Sequence, residues 1–160
     1  MSVRVGHGFD AHPLVEGRPL KLGGVHVPFE RGLDGHSDAD VLCHAIADAL
    51  LGACALGDLG THFPATEGRW KGADSIALLE ACTARVRDAG FEAVNIDATV
   101  VAEKPKLASY VAEMRARIAA AIGIDVADVS VKPKSTEGMG YTGDGTGMAA
   151  HAVALVRRRF

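Results

Sequence analysis

A chain of 160 residues and 16.6 kDa fits one hydrophobic core, and at that size about 70% of the unfolded surface is buried on folding, so neither disulfide nor structural metal is needed to hold it. The 48% apolar and 23% charged residues exclude a disordered chain. Seventeen basic against 20 acidic residues give a net charge of −3, which argues against a nucleic-acid partner, and no apolar run reaches the ~20 residues of a membrane span.

Met1 to His7 lacks the apolar core of a signal peptide, so a cytoplasmic protein is expected. Arg4 to Phe9 predicts a short strand, and Leu20 to Leu22 with Val25 to Val27 predict a hairpin about Gly23-Gly24. A first helix is expected from Ser37 as N-cap to near Gly57, with Val41, Ile46, Ala49, Leu50 and Ala53 at helical period. Gly57 to Gly72 reads as a long, functional loop carrying His62, Pro64 and Trp70. A second helix follows from about Asp74 to Ala89, then a strand over Val94 to Ala102 that Pro105 ends. A third helix covers about Ala108 to Ile122, a strand starts at Val129, and a glycine-dense loop from Gly138 to Gly147 leads to a last strand, Ala149 to Val156. This order predicts a single α+β domain over residues 1–160: a two-layer sandwich, with helices packed on one face of a mixed sheet.

Two clusters carry chemistry. Asp10-x-His12 puts a carboxylate and an imidazole on one side of an extended chain, and that donor pair suits a divalent metal. His44 lies on the helix stripe Asp40, His44, Asp48, where a neighbouring carboxylate would orient its ring. Asp10, His12 and His44 together would leave one coordination position open, as in catalytic zinc or in a two-histidine, one-carboxylate iron site. The second cluster is Lys132 to Glu137 with the glycines after it, whose cations, hydroxyls and amides suit phosphate and whose Glu137 could hold magnesium. Gly138-x-Gly140-x-x-Gly143 matches a dinucleotide fingerprint, but too little chain follows Gly143 for a βαβ unit. Lys104 and Lys106 flank Pro105 as two further cations, usually solvated in such pairs. Cys43, Cys54 and Cys82 have no paired spacing and are expected as reduced core residues.

Gly6 to His12, Gly35 to Val41, Ala55 to Gly60 and Lys134 to Gly143 occur in this order, and with them nearly the whole chain resembles the 2-C-methyl-D-erythritol 2,4-cyclodiphosphate synthase family. The resemblance implies a homotrimer with active sites between subunits, and an intramolecular phosphoryl transfer that releases CMP from a diphosphocytidyl substrate. It implies zinc on Asp10, His12 and His44, and magnesium or manganese on Glu137. It gives His36, Ser37, Asp58, Leu59, Gly60, Phe63, Pro64, Ala65, Thr66 and Glu67 to the sugar and phosphates. Ala102, Pro105, Lys106 and Leu107 would cradle cytosine, and Lys134, Ser135, Thr136, Glu137 and Tyr141 would meet the diphosphate and nucleotide. His36, Ser135 and Thr136 would stabilise charge in the transition state, so no activated serine or cysteine is expected. Two departures stand out. Phe63-Pro64-Ala65-Thr66-Glu67 replaces a loop with two aspartates, and Asp144 stands where an arginine commonly binds an isoprenoid diphosphate in a cavity on the trimer axis. Arg157 to Arg159 would offset Asp144 if the last strand brought them to the same mouth. A non-catalytic metal- or nucleotide-binding module is the main rival reading, and an iron oxygenase a weaker one.

Overall fold

The computed structural model describes residues 2–160. In chain order it forms β1 (Val3–Glu16), β2 (Leu20–Leu22), β3 (Val25–Val27), β4 (Arg31–Leu33), α1 (Val41–Ala53), the single turn α2 (Leu59–His62), α3 (Ser75–Asp88), β5 (Phe91–Val101), α4 (Val111–Ile122), β6 (Val129–Lys134), the single turn α5 (Gly140–Gly143) and β7 (Gly147–Arg158). Among the described residues, five strands make one sheet in the order β4-β1-β7-β5-β6, with only β5 and β6 parallel, while β2 and β3 form a separate hairpin. α1, α3 and α4 lie on one face, so the mixed sheet carries its helices in a second layer.

Two glycines set how close the layers come. A Cβ at Gly6 would stand 2.0 Å from the Ala49 carbonyl, and one at Gly8 1.8 Å from that of Ala45. Glycine on the strand and alanine on the helix therefore let α1 lie flush on β1. Ala150, Ala152 and Ala154 continue the small, buried surface across β7. Inward positions on β1 alternate, so Asp10 and His12 follow Gly8 under the N-terminal end of α1. Among the described residues the opposite face of the sheet has no second layer: Val5 is 67% exposed, with Val3, Phe9 and Val153 also open to solvent.

β1 continues past Phe9 to Glu16, and β4, which the sequence does not announce, pairs with its last turn of residues. The predicted start of α1 at Ser37 is corrected. Ala39 has φ +58°, a left-handed conformation that interrupts a helix, and Asp40 caps the helix by accepting the Cys43 N–H at 3.0 Å. Asp40 also accepts the N–H groups of Gly23 and Gly24 at 2.9 and 2.8 Å. Both glycines have positive φ, as a two-residue hairpin turn requires. One buried carboxylate thus joins the hairpin to the start of α1. Burial pushes that carboxyl up, and the three backbone donors oppose the shift.

Candidate active site

Asp10 and His12 arrive from β1, and His44 from the first turn of α1. Asp10 Oδ2 lies 3.0 Å from His44 Nδ1 and 3.1 Å from His12 Nε2, and the donor atoms of all three lie within 4.8 Å of one another. Asp10 and His12 are half-buried and His44 is buried. Burial alone would raise the Asp10 carboxyl, but its bonds to His12 and His44 hold it below the ordinary carboxylate value. Burial would likewise lower His44, and Asp10 outweighs it, so the imidazole sits above its ordinary value. Two imidazoles and one carboxylate on a single point fit a divalent transition metal, with at least one coordination position left for another ligand.

The flanking aspartates do not orient His44 as the helix stripe suggests. Asp40 is committed to the hairpin, and Asp48 Oδ1 accepts the Leu59 N–H at 2.7 Å. The residues facing His44 Nε2 are Ser75, at 2.7 Å, and Ser37, at 3.2 Å.

The loop before α1 is held from both sides. Arg18 donates to the carbonyls of Leu33 and Ser37 at 2.7 and 2.9 Å. On the other side Gly72 donates to the His36 carbonyl at 2.7 Å, and Asp38 to that of Ala73 at 3.1 Å. His36 Nε2 stands 3.1 Å from the Glu67 carbonyl. This brings Phe63 to Glu67 beside the loop of His36 and Ser37. Phe63 is buried against Trp70, edge to face at 4.7 Å, and Glu67 accepts the side chains of Arg69 and Trp70. Pro64 is half-buried, while Ala65, Thr66 and Gly60 are exposed. Asp58 caps α2, its Oδ1 taking both the N–H and hydroxyl of Thr61. Segment 57–72 is thus less irregular than expected, with α2 and a 3₁₀ turn at Gly68–Trp70.

A second group gathers elsewhere. Ala102, Pro105, Lys106 and Leu107 face Pro133, Lys134 and Ser135 across a cleft of about 290 Å³, closed at its floor by the Ala102 N–H on the Lys134 carbonyl at 3.0 Å. Ser135 donates to Glu103 at 2.8 Å and accepts the Glu137 N–H at 2.9 Å. Thr136 is bonded within its own loop, to the Met139 carbonyl and the Thr142 hydroxyl. Glu137 is exposed, at φ +54°. Tyr141, from α5, borders a hollow of about 260 Å³ with Ala11, His12 and Pro13.

Tyr141 apart, which borders the hollow beside His12, the two groups do not meet among the described residues of one chain. Asp10, Ala150, Val100 and Pro133 occupy one row across β1, β7, β5 and β6, so they are separated by roughly 14 Å of sheet. Nor do the terminal arginines reach Asp144. β7 runs from Gly147 to Arg158, which carries Arg157 to Arg159 roughly 35 Å from the loop that begins it. Asp144 is bound to Thr146 through its hydroxyl and its N–H, which keep the carboxyl below the ordinary value.

All three cysteines are buried. Burial raises Cys43 and Cys54 and pushes Cys82 up to about 12, so none is a thiolate at neutral pH. The sequence reading missed Arg18 and Ser75. Neither sits in a motif, and each acts on the site from a distant point of the chain.

Residues 3–157 match the YgbB family. A 2-C-methyl-D-erythritol 2,4-cyclodiphosphate synthase of Laribacter hongkongensis is 57% identical over 159 residues, spanning 99% of this chain and 98% of that protein. A solved 2C-methyl-D-erythritol-2,4-cyclodiphosphate synthase in a CDP-bound form superimposes with a TM-score of 0.88 at 32% identity, over 96% of this chain and all of that one. The bifunctional IspDF of Campylobacter jejuni aligns with a TM-score of 0.94 at 40% identity, covering 99% of this chain and 43% of its own length.

Proposed function

The chain belongs to the YgbB family, and on that premise we propose that it converts 4-diphosphocytidyl-2-C-methyl-D-erythritol 2-phosphate to 2-C-methyl-D-erythritol 2,4-cyclodiphosphate and CMP. This is a phosphorus–oxygen lyase reaction that supplies isoprenoid precursors outside the mevalonate route. The observation that carries the reading is the convergence of Asp10, His12 and His44 from two elements onto one point, in a chain 57% identical to a named synthase.

The reaction needs placement and charge neutralisation. A 2-phosphate oxygen attacks the β-phosphorus, the bond to the bridging oxygen breaks, and CMP leaves with that oxygen. Phosphoryl transfer of this kind is loose and calls for no covalent nucleophile, which agrees with three inert thiols. His36 and Ser37 would meet the phosphates and methylerythritol, and Asp58 to Glu67 would line the same pocket. Ala102 to Leu107 would offer cytosine one wall of a cleft, while Lys134, Ser135 and Thr136 would meet the diphosphate. Asp10, His12 and His44 would hold zinc, and Glu137 magnesium or manganese; bound ions of this kind supply positive charge to phosphate oxygens.

The separation of the two groups, together with the open sheet face, supports a homotrimer. In it the 102–107 and 134–137 segments of one copy complete the metal-bearing half of the next. Three copies of Asp144 would then oppose an isoprenoid diphosphate on the axis, with no compensation from Arg157 to Arg159. Placement in the cytoplasm completes the proposal; no helix among the described residues is long and apolar enough to cross a membrane.

Incubation with the diphosphocytidyl substrate tests the function directly. The expected outcome is stoichiometric CMP by chromatography, with the two coupled phosphorus resonances of a cyclic diphosphate. Substrate that binds but is recovered intact would replace this reading with that of a non-catalytic module.

A further inference from the structure

Behind His44, away from Asp10 and His12, lies a buried polar network outside the ligand set. Its Nδ1 faces Asp10, so Nε2 points back into the protein, toward Ser75 Oγ at 2.7 Å. Ser75 is 1% exposed and His44 7%, so water does not compete. The Ser75 hydroxyl reaches onward to Asp38 Oδ1. Asp38 is itself fixed, because Oδ2 accepts the Ser75 N–H at 2.9 Å and Oδ1 the Asp40 N–H at 3.2 Å. Asp74 does the capping of α3, by accepting the Ile76 N–H. Ser75, at the first helical position, is thereby left free to turn inward.

The direction of the network follows from its far end. A carboxylate with N–H donors on both oxygens is an acceptor, so the single Ser75 proton goes to Asp38. The Ser75 oxygen can then accept, and the hydrogen facing it is that of Nε2. With Nε2 donating, the proton that a metal would displace is the one Nδ1 shares with Asp10, and the lone pair so freed is turned to Asp10 and His12. The longer contact to Ser37, at 3.2 Å, whose hydroxyl accepts the Ala39 N–H, is compatible with the same direction.

We infer that Ser75 and Asp38 are positioning residues of the metal centre: they fix the ring and tautomer of His44 so that Nδ1 is presented as a ligand. The inference rests on the reading of Asp10, His12 and His44 as a metal site. Neither residue belongs to the group of three that would hold the ion. Outer partners of ligating histidines typically contribute 10–100-fold to metal affinity. Asp38→Asn is the informative change, because an amide keeps the shape but can offer N–H to the Ser75 oxygen and reverse the network.

The experiment is zinc affinity by competition with a chromophoric chelator for wild type, Ser75→Ala, Asp38→Asn and the double variant. The visible spectrum of the cobalt-loaded proteins and their thermal melts are recorded alongside. Each single variant is expected to melt cooperatively, lose about 10–100-fold in zinc affinity and show an altered cobalt spectrum. The double variant should be little worse than either single one, because both act through one path. Wild-type affinity and an unchanged cobalt spectrum in both single variants would overturn the positioning role while leaving the metal site standing. Absence of zinc binding by the wild type would overturn the metal site, and the positioning role with it.

Discussion

Asp10 is shared by two imidazoles, and that makes the metal-free protein pH-sensitive in a defined way. Its carboxyl is depressed below 3.8, so its pairing stabilises the fold above the ordinary carboxylate value and is lost as pH falls through the lower folded one. His44 is raised above 6.5, so its contribution is complete below that value and fades as pH rises through the higher folded one. The metal-free protein therefore gains most from this cluster between 3.8 and 6.5. Zinc held there would reverse the trend, since it binds deprotonated ligands and would stabilise increasingly as pH rises. Thermal melts from pH 4 to 9, in chelator and in zinc, should diverge above pH 6.5, and parallel curves would contradict the argument. At this scale the candidate ligands were legible, because Asp-x-His and a histidine in a helix are local patterns. Ser75 was not: it meets His44 across 31 positions of sequence, and a serine beginning a helix looks like ordinary capping.

Among the elements, β1 and α1 decide whether the ligands meet. The sequence suggested a strand ending at Phe9, because glycine and proline weaken strand propensity. In the fold both glycines serve a close approach, and Pro13 is tolerated opposite Gly147 near the strand's end. Gly8→Ala would put a methyl group into the Ala45 carbonyl, forcing α1 outward and carrying His44 from Asp10. The expected result is a loss of about 1–3 kcal/mol in denaturant unfolding, typical of overpacking, with weakened zinc binding. Wild-type values on both measurements would show that α1 does not depend on this contact. Helix starts were the least legible feature. Ser37 is a good N-cap by type, but the hairpin captures Asp40 and the left-handed Ala39 moves the cap three residues on.

For the whole molecule, the composition and element order were enough to expect a mixed sheet with helices on one face. The strand order was not legible, since it depends on β7 inserting between β1 and β5, a pairing of the chain's two ends. That insertion keeps the Asp10 cluster and the Lys134 loop apart in every chain, so a subunit damaged in one group still carries the other intact. In the proposed ring of three, an Asp10→Asn chain and a Lys134→Ala chain, each inactive alone, should rescue one another when co-assembled. About one interface in four would pair the two undamaged halves at equal mixing. Recovery near a quarter of wild-type turnover after denaturation and joint refolding would show it, and continued inactivity would place both halves within a single chain. By the same arithmetic, in such a ring two different loss-of-function alleles in one cell would together restore part of the turnover that neither gives alone.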